Sequence, residues 1–267
     1  MSSASEGEEG VHVTTSGPVA TIWLNRPAKR NAMTLAMWSE LSQHAKALGD
    51  DPLVRVVVVR GKGEHFCSGA DISGLGEVSP EEYREANLSA ESALAELPKP
   101  TVAFIAGSCV GGGAEIAVAC DLRIAEVGAR FGVTPARLGI VYPPPAVERL
   151  VKLVGPSTTK HLLYSAELID AERALRTGLV DEIHEPADAE RRLDELVSLL
   201  GEKRSLLTQM AAKEMVDAVS EHGSIEKVIG DRWSAEMEAS GDPVEGVVAF
   251  IKRRDPRFGW DGPENRT

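Results

Sequence analysis

The sequence predicts an α/β fold of repeated ββα-like turns followed by a helical C-terminal part, and three observations predict it. β-branched runs alternate with helix-period segments through the first half, and glycine-rich loops stand at strand-to-helix junctions. After about Pro143 the β-branched runs vanish and helical periodicities follow one another. The chain has 267 residues and 43% hydrophobic composition, enough for one large domain or a domain with a small appendage around a buried core.

Residues 1–10 are rich in Ser and Glu and read as a disordered lead-in. Residues 11–15 and 19–24 are short β-rich runs split by Ser16-Gly17-Pro18, which predicts an antiparallel hairpin. Asn25-Arg26-Pro27 breaks the second strand. Apolar residues at Leu35, Trp38, Leu41, Ala45 and Leu48 then follow a helical period, with Thr34 placed to cap the first turn. Residues 54–59 form a continuous β-branched run, as in a strand buried on both faces. A helix over 80–97, a strand over 101–106 and a helix starting near Gly112 repeat the pattern. Further helices are expected over 147–154, 157–164, 171–177, 190–200, 205–219 and 225–239. The expected organisation is a core over 11–200 and a helical region over 201–267.

A formal net charge of -12 argues against nucleic acid or an anionic membrane as partner, since both would be repelled. A phosphate-bearing ligand must then meet a local basic patch. Three cysteines, Cys67, Cys109 and Cys120, do not suit a disulfide framework and point to a reducing, cytoplasmic setting. No stretch is long and apolar enough for a transmembrane helix, and the start lacks the basic-then-apolar pattern of a signal peptide. The histidines show no metal-ligand spacing, so no metal is expected.

Two loops carry the chemistry. His65-Phe66-Cys67-Ser68-Gly69-Ala70-Asp71-Ile72 follows a buried strand, and its small residues let a ligand approach the backbone N–H groups; a plain tight turn is the alternative. Gly111-Gly112-Gly113-Ala114-Glu115 opens an apolar helix, where unsatisfied N–H groups and the helix dipole suit an anion or a developing oxyanion. Close helix packing is the alternative there. Neither loop fits the dinucleotide, phosphate-loop or hydrolase-elbow patterns. His65 and Cys67 invite a Cys/His nucleophile reading, set against a small buried thiol.

Together these segments resemble the crotonase superfamily, that is, the enoyl-CoA hydratase/isomerase family. The resemblance is carried by Asn25-Arg26-Pro27, the cluster 28–33, the loop 66–72, Gly111-Gly112-Gly113-Ala114-Glu115, Cys120-Asp121, Phe131-Gly132, Leu138-Gly139, Gly178-Leu179-Val180-Asp181 and the segment 245–254. It implies a crotonase-like spiral of ββα turns with a C-terminal helical trimerisation region, assembled as a homotrimer or a dimer of trimers. It further implies an acyl-CoA thioester substrate and no cofactor beyond the coenzyme A moiety of that substrate. By position Ser68 and Gly112 would supply two backbone N–H donors to the thioester oxygen. The coenzyme A nucleotide would lie against Ala28, Lys29 and Arg30 and the backbone of Ala70, Asp71 and Ile72. Glu115 matches the first of the two hydratase glutamates as acid/base.

The second glutamate's place is taken by Pro135, which puts efficient hydration in doubt. Tyr142 resembles a tyrosine that faces the substrate carboxylate in methylmalonyl-CoA decarboxylases, but their loop histidine would fall at Ala70. The sequence therefore leads to enoyl-CoA hydration, with isomerisation or decarboxylation as alternatives. From another class comes a non-catalytic acyl-CoA-binding protein.

Overall fold

The computed structural model describes residues 8–71, 73 and 79–263. In chain order the elements are β1 (Gly10–Ser16), β2 (Val19–Asn25), α1 (Leu35–Asp50), β3 (Val56–Gly61), α2 (Pro80–Ala95), β4 (Thr101–Ile105), β5 (Ser108–Val110), α3 (Gly112–Ala119), β6 (Leu122–Glu126), β7 (Arg130–Gly132), α4 (Pro144–Ser165), β8 (Ile169–Asp170), α5 (Ala171–Thr177), β9 (Glu182–His184), α6 (Pro186–Glu202), α7 (Leu206–His222), α8 (Lys227–Ser240) and α9 (Asp242–Lys252).

The hairpin β1–β2 closes at Ser16 and Val19 as the Ser-Gly-Pro turn implied. Its first strand takes Gly10 from the expected lead-in, and the Glu8 carbonyl accepts from Asn25 Nδ2 at 2.8 Å. Residues 1–7 of that lead-in lie outside the described residues. From β2 onward the main sheet is parallel, in the order β1-β2-β3-β4-β6-β9. Val56, Val57, Val58 and Val59 are all buried, because helices cover both faces of a parallel strand. α1 buries Trp38, Leu41, Ala45 and Leu48, and Thr34 caps it by accepting from Met37 N at 3.2 Å.

A second sheet, β5-β7-β8, runs beside the first. Each turn of the chain puts one strand in the main sheet, one short extended piece in the second, and then a helix: β4-β5-α3, then β6-β7-α4. Two isolated bridges extend the second layer, Cys67 to Cys109 and Met33 to Ala70. The glycine loop 65–71 is thus a rudimentary strand of this second layer. That spiral is the ββα architecture the sequence predicted.

The helices expected over 147–154 and 157–164 form one element, α4, whose axis breaks at Gly155 (φ 75, ψ 166) ahead of Pro156. Beyond 201, Leu206, Leu207, Met210, Trp233 and Trp260 form a core of their own, apart from the main one. None of the helices described is long and apolar enough to cross a membrane.

Candidate active site

The Asn31 side chain, fully buried, fixes the turn after β2. Its Oδ1 accepts from Arg26 N at 2.9 Å, and its Nδ2 donates to the carbonyls of Lys62 (3.0 Å) and His65 (2.6 Å). Arg30 and Asn31 accept left-handed backbone (φ 50 and 58) to make this turn. The turn and the first glycine loop are stitched together, since Ser68 N donates to Arg30 O at 3.0 Å and Ser68 Oγ to Lys29 O at 3.2 Å.

This stitch corrects the expected donor pair. The Ser68 N–H is already spent on Arg30. Two residues on, Met33 N donates to Gly69 O and Asp71 N to Met33 O, both at 2.8 Å, which turns the intervening Ala70 N–H the other way. That N–H meets no acceptor among the described residues. On the facing loop Gly111 takes φ 53, ψ -115, its N–H donates to Gly132 O at 2.9 Å, and Gly112 begins α3 with its N–H free, as at any helix start. A Cβ placed on Gly112 would lie 3.5 Å from Ala70 N, and one on Gly69 would lie 3.7 Å from Gly112 N. Ala70 and Gly112 therefore present two free N–H groups to one small space, while Ser68 does not contribute. The alternation of a bridge in the second sheet decides this, and nothing in the composition of Ser68-Gly69-Ala70 reveals it.

Gly113 has a different reason for lacking a side chain. A Cβ there would stand 2.4 Å from the Cys67 carbonyl oxygen. Close packing, the alternative considered for the glycine run, holds for Gly113 against the Cys67 backbone and also for Gly112, where a Cβ would stand 2.9 Å from the buried Trp38 ring as well as 3.5 Å from Ala70 N.

Glu115 sits in the first turn of α3, only 6% exposed. Burial pushes its carboxyl up to about 7, against a lowering by the hydrogen bond from Asn87 Nδ2 at 2.8 Å. A carboxyl poised there can take up and return a proton near neutral pH. On α2, one turn after Asn87, Glu91 is fully buried and accepts from Arg149 Nη1 at 2.8 Å. Asn87, Glu91 and Arg149 were not singled out by the sequence, for they lie on elements that read as ordinary amphipathic helices.

Tyr142 is also in this pocket and buried, but its hydroxyl donates to Gly111 O at 3.0 Å. The phenol proton foreseen for a substrate carboxylate is committed to the backbone that orients Gly112. Pro135 opens a short 3-10 turn, Pro135–Arg137, and brings no carboxylate. The polar group this segment does bring is Thr134, whose Oγ1 would lie 4.0 Å from a Cβ on Gly111. Cys67 is fully buried with its thiol pushed up to about 12 by burial, and His65 Nδ1 accepts from Ser108 N at 3.1 Å. Both groups are structural, and the nucleophile reading falls.

Of the expected nucleotide-binding residues, Ala28, Lys29 and Arg30 form an exposed rim beside the loop. Asp71 is held by Ser73 and Arg26, which keep its carboxyl down at about 2. The Ala70 backbone faces the Gly112 side, and Ile72 lies outside the described residues. Among the described residues no group of three or more His, Cys, Asp or Glu could hold a metal ion.

The sequence profile described as enoyl-CoA hydratase/isomerase matches residues 14–261. The chain belongs to the enoyl-CoA hydratase/isomerase family. A crotonyl-CoA hydratase of Syntrophomonas wolfei is 32% identical over 260 residues, covering 94% of this chain and 98% of its own. Among solved structures, an enoyl-CoA hydratase/isomerase family member superposes with a TM-score of 0.88 at 36% identity, over 97% of this chain and all of the other. An enoyl-CoA hydratase from Bacillus anthracis gives 0.85 at 28% identity, over 93% and 98% of the two chains. Membership makes the chain an enzyme of this family with the crotonase fold.

Proposed function

We propose that this protein adds water to a 2-enoyl-CoA, stabilising the thioester enolate with the N–H groups of Ala70 and Gly112 and moving the proton with Glu115. The observation that carries the reading is the buried Glu115 carboxyl, raised to about 7, in the helical turn that starts at one of the two free donors. In the reaction the water oxygen bonds to Cβ as Glu115 takes one of its protons, and the electron pair moves onto the thioester oxygen between the two N–H groups. The enolate then collapses, and the proton on Glu115 passes to Cα. Water has been added whole, and Glu115 is again ionised. Removing such a donor typically costs about 3–4 kcal/mol in the transition state.

The substrate's coenzyme A supports the role of Lys29 and Arg30, a basic rim on an acidic protein where phosphates need a local counter-charge. No other cofactor enters the scheme. A homotrimer or dimer of trimers is the assembly we infer, supported by exposed Val244, Val247, Phe250 and Ile251 along α9. A cytoplasmic setting goes with the three unpaired, buried cysteines.

Pro135 favours a second reading, because one carboxyl suffices to carry a proton from C2 to C4 of a 3-enoyl-CoA. The test is turnover of crotonyl-CoA and of a 3-enoyl-CoA by the wild type and by Glu115→Gln. A 3-hydroxyacyl product lost in the variant supports hydration, and a conjugated product from the 3-enoyl thioester alone supports isomerisation. Tight acyl-CoA binding with no turnover of either would leave a binding protein in place of the enzyme.

A further inference from the structure

Tyr83, Asn87 and Glu91 stand four residues apart on one face of α2. The Tyr83 hydroxyl accepts from Trp38 Nε1 at 2.7 Å, and the edge of that indole is what a Cβ on Gly112 would meet at 2.9 Å. Asn87, the next in line, reaches Glu115 at 2.8 Å. Glu91 follows, fully buried, with Oε2 accepting from Arg149 Nη1 on α4 at 2.8 Å. Each step of four residues advances about 6 Å along the helix. With the thioester oxygen between Ala70 and Gly112 and the reacting carbons at Glu115, an acyl chain continued in the same direction arrives at Glu91. α3, which carries Glu115, packs against both α2 and α4, and the Glu91–Arg149 pair joins those two helices.

The second oxygen of Glu91 sets it apart. Oε1 is buried and has no hydrogen-bond partner among the described residues, although Oε2 is paired with Arg149. A buried carboxyl oxygen left unpaired is costly, and a ligand that pairs it removes the cost. We propose that the site is built for acyl groups that carry a hydroxyl a few carbons beyond Cβ, and that Glu91 Oε1 receives this hydroxyl. This rests on the reading of Ala70, Gly112 and Glu115 as the reacting end. Arg149 already balances the charge of the Glu91 carboxylate, so a neutral group suits the position better than an ammonium. A hydroxyl can donate to a carboxylate and accept from a carboxyl, so the contact holds in either state of Glu91. A plain alkyl chain of equal length would instead press a methyl group against the unpaired oxygen, and a site built for a hydrogen bond rejects the analogue that lacks it. Glu91 is thus a specificity-determining residue and takes no part in the proton transfer.

The experiment measures, by calorimetry on the full-length protein, the binding of saturated thioesters matched in length: 6-hydroxyhexanoyl-CoA against heptanoyl-CoA, and 5-hydroxypentanoyl-CoA against hexanoyl-CoA. None of them can be hydrated or isomerised, so the result does not depend on the reaction assigned above. In at least one pair the wild type should bind the hydroxyacyl thioester about tenfold or more tightly, as expected for one hydrogen bond to a charged group. Glu91→Leu should reverse that order. Should Glu91→Leu fail to fold because Arg149 is left unpaired, the double variant Glu91→Leu/Arg149→Met removes both charges and should show the same reversal. Equal affinities within both pairs, as when a water satisfies Oε1, overturn the proposal, as does a wild-type preference for the alkyl chains or a variant that keeps the wild-type order. Turnover of 6-hydroxy-2-hexenoyl-CoA and 2-heptenoyl-CoA tests the reaction separately. No product from either, with the binding preference kept, sinks the hydration reading and leaves this inference standing.

Discussion

Asn87 Nδ2 donates to Glu115 Oε2 at 2.8 Å, from a helix that otherwise packs on the core. This bond opposes the burial that raises Glu115. Replacing Asn87 with Leu leaves burial unopposed, so the acid limb of the rate profile should move up by about one pH unit, the equivalent of about 1.4 kcal/mol for a charge-assisted hydrogen bond. Activity well above the limb should be little changed. A pH–rate profile checks this; an unmoved limb would mean that Glu115 does not control it.

The two glycines that begin α3 should fail in different ways. Gly112→Ala aims a methyl group at the space before Ala70 N and brings it 2.9 Å from the edge of Trp38. It should lose about a hundredfold or more in kcat, with a smaller loss of stability as Trp38 shifts to make room. Gly113→Ala drives a methyl into the Cys67 carbonyl at 2.4 Å, so expression or thermal stability should suffer first. Circular dichroism and kcat measured together separate the two.

Ser68→Ala should retain nearly full activity. It loses only the exposed Oγ bond to Lys29 O, whereas its backbone N–H continues to hold Arg30 O. A loss as large as that of Gly112→Ala would restore Ser68 to the reaction and contradict the Ala70 assignment.

Stability should fall as pH rises from weakly acidic to weakly alkaline. Glu115 and Glu91 are raised above the ordinary 4.5, to about 7 and about 8, so the native state holds protons more tightly than the unfolded chain across that window. Below about 4.5 both states are protonated and the effect vanishes; above about 8 it is complete. Glu115→Gln should remove part of the slope, about 3 kcal/mol from a shift of some 2.5 units. Urea unfolding of wild type and variant at acid and alkaline pH measures the difference.

Lys29→Ala and Arg30→Ala should raise KM for acyl-CoA several-fold with kcat kept, since exposed charges act on binding alike in ground and transition states. The effect should shrink with added salt, as expected for exposed charges. A fall in kcat without a change in KM would place these side chains elsewhere.

The hairpin, the buried β-branched strand, the capped α1 and the order of turns were legible in the chain alone, because periodicity, Thr34 and the turn Ser16-Gly17-Pro18 are local signals. The sequence also picked out Glu115 and Gly112, since a triple glycine at a helix start is rare enough to be noticed. The short strands β5, β7 and β8, of two or three residues, left no period to read. Which N–H of Ser68-Gly69-Ala70 is free emerges on folding, because it depends on the bridge to Met33 and the bond to Arg30 from a distant turn. Folding likewise brought Glu91, Asn87 and Arg149 to Glu115. Their side chains fit an amphipathic helix equally well in water or in a pocket, and the packing of α3 against α2 and α4 makes them neighbours of a buried charge.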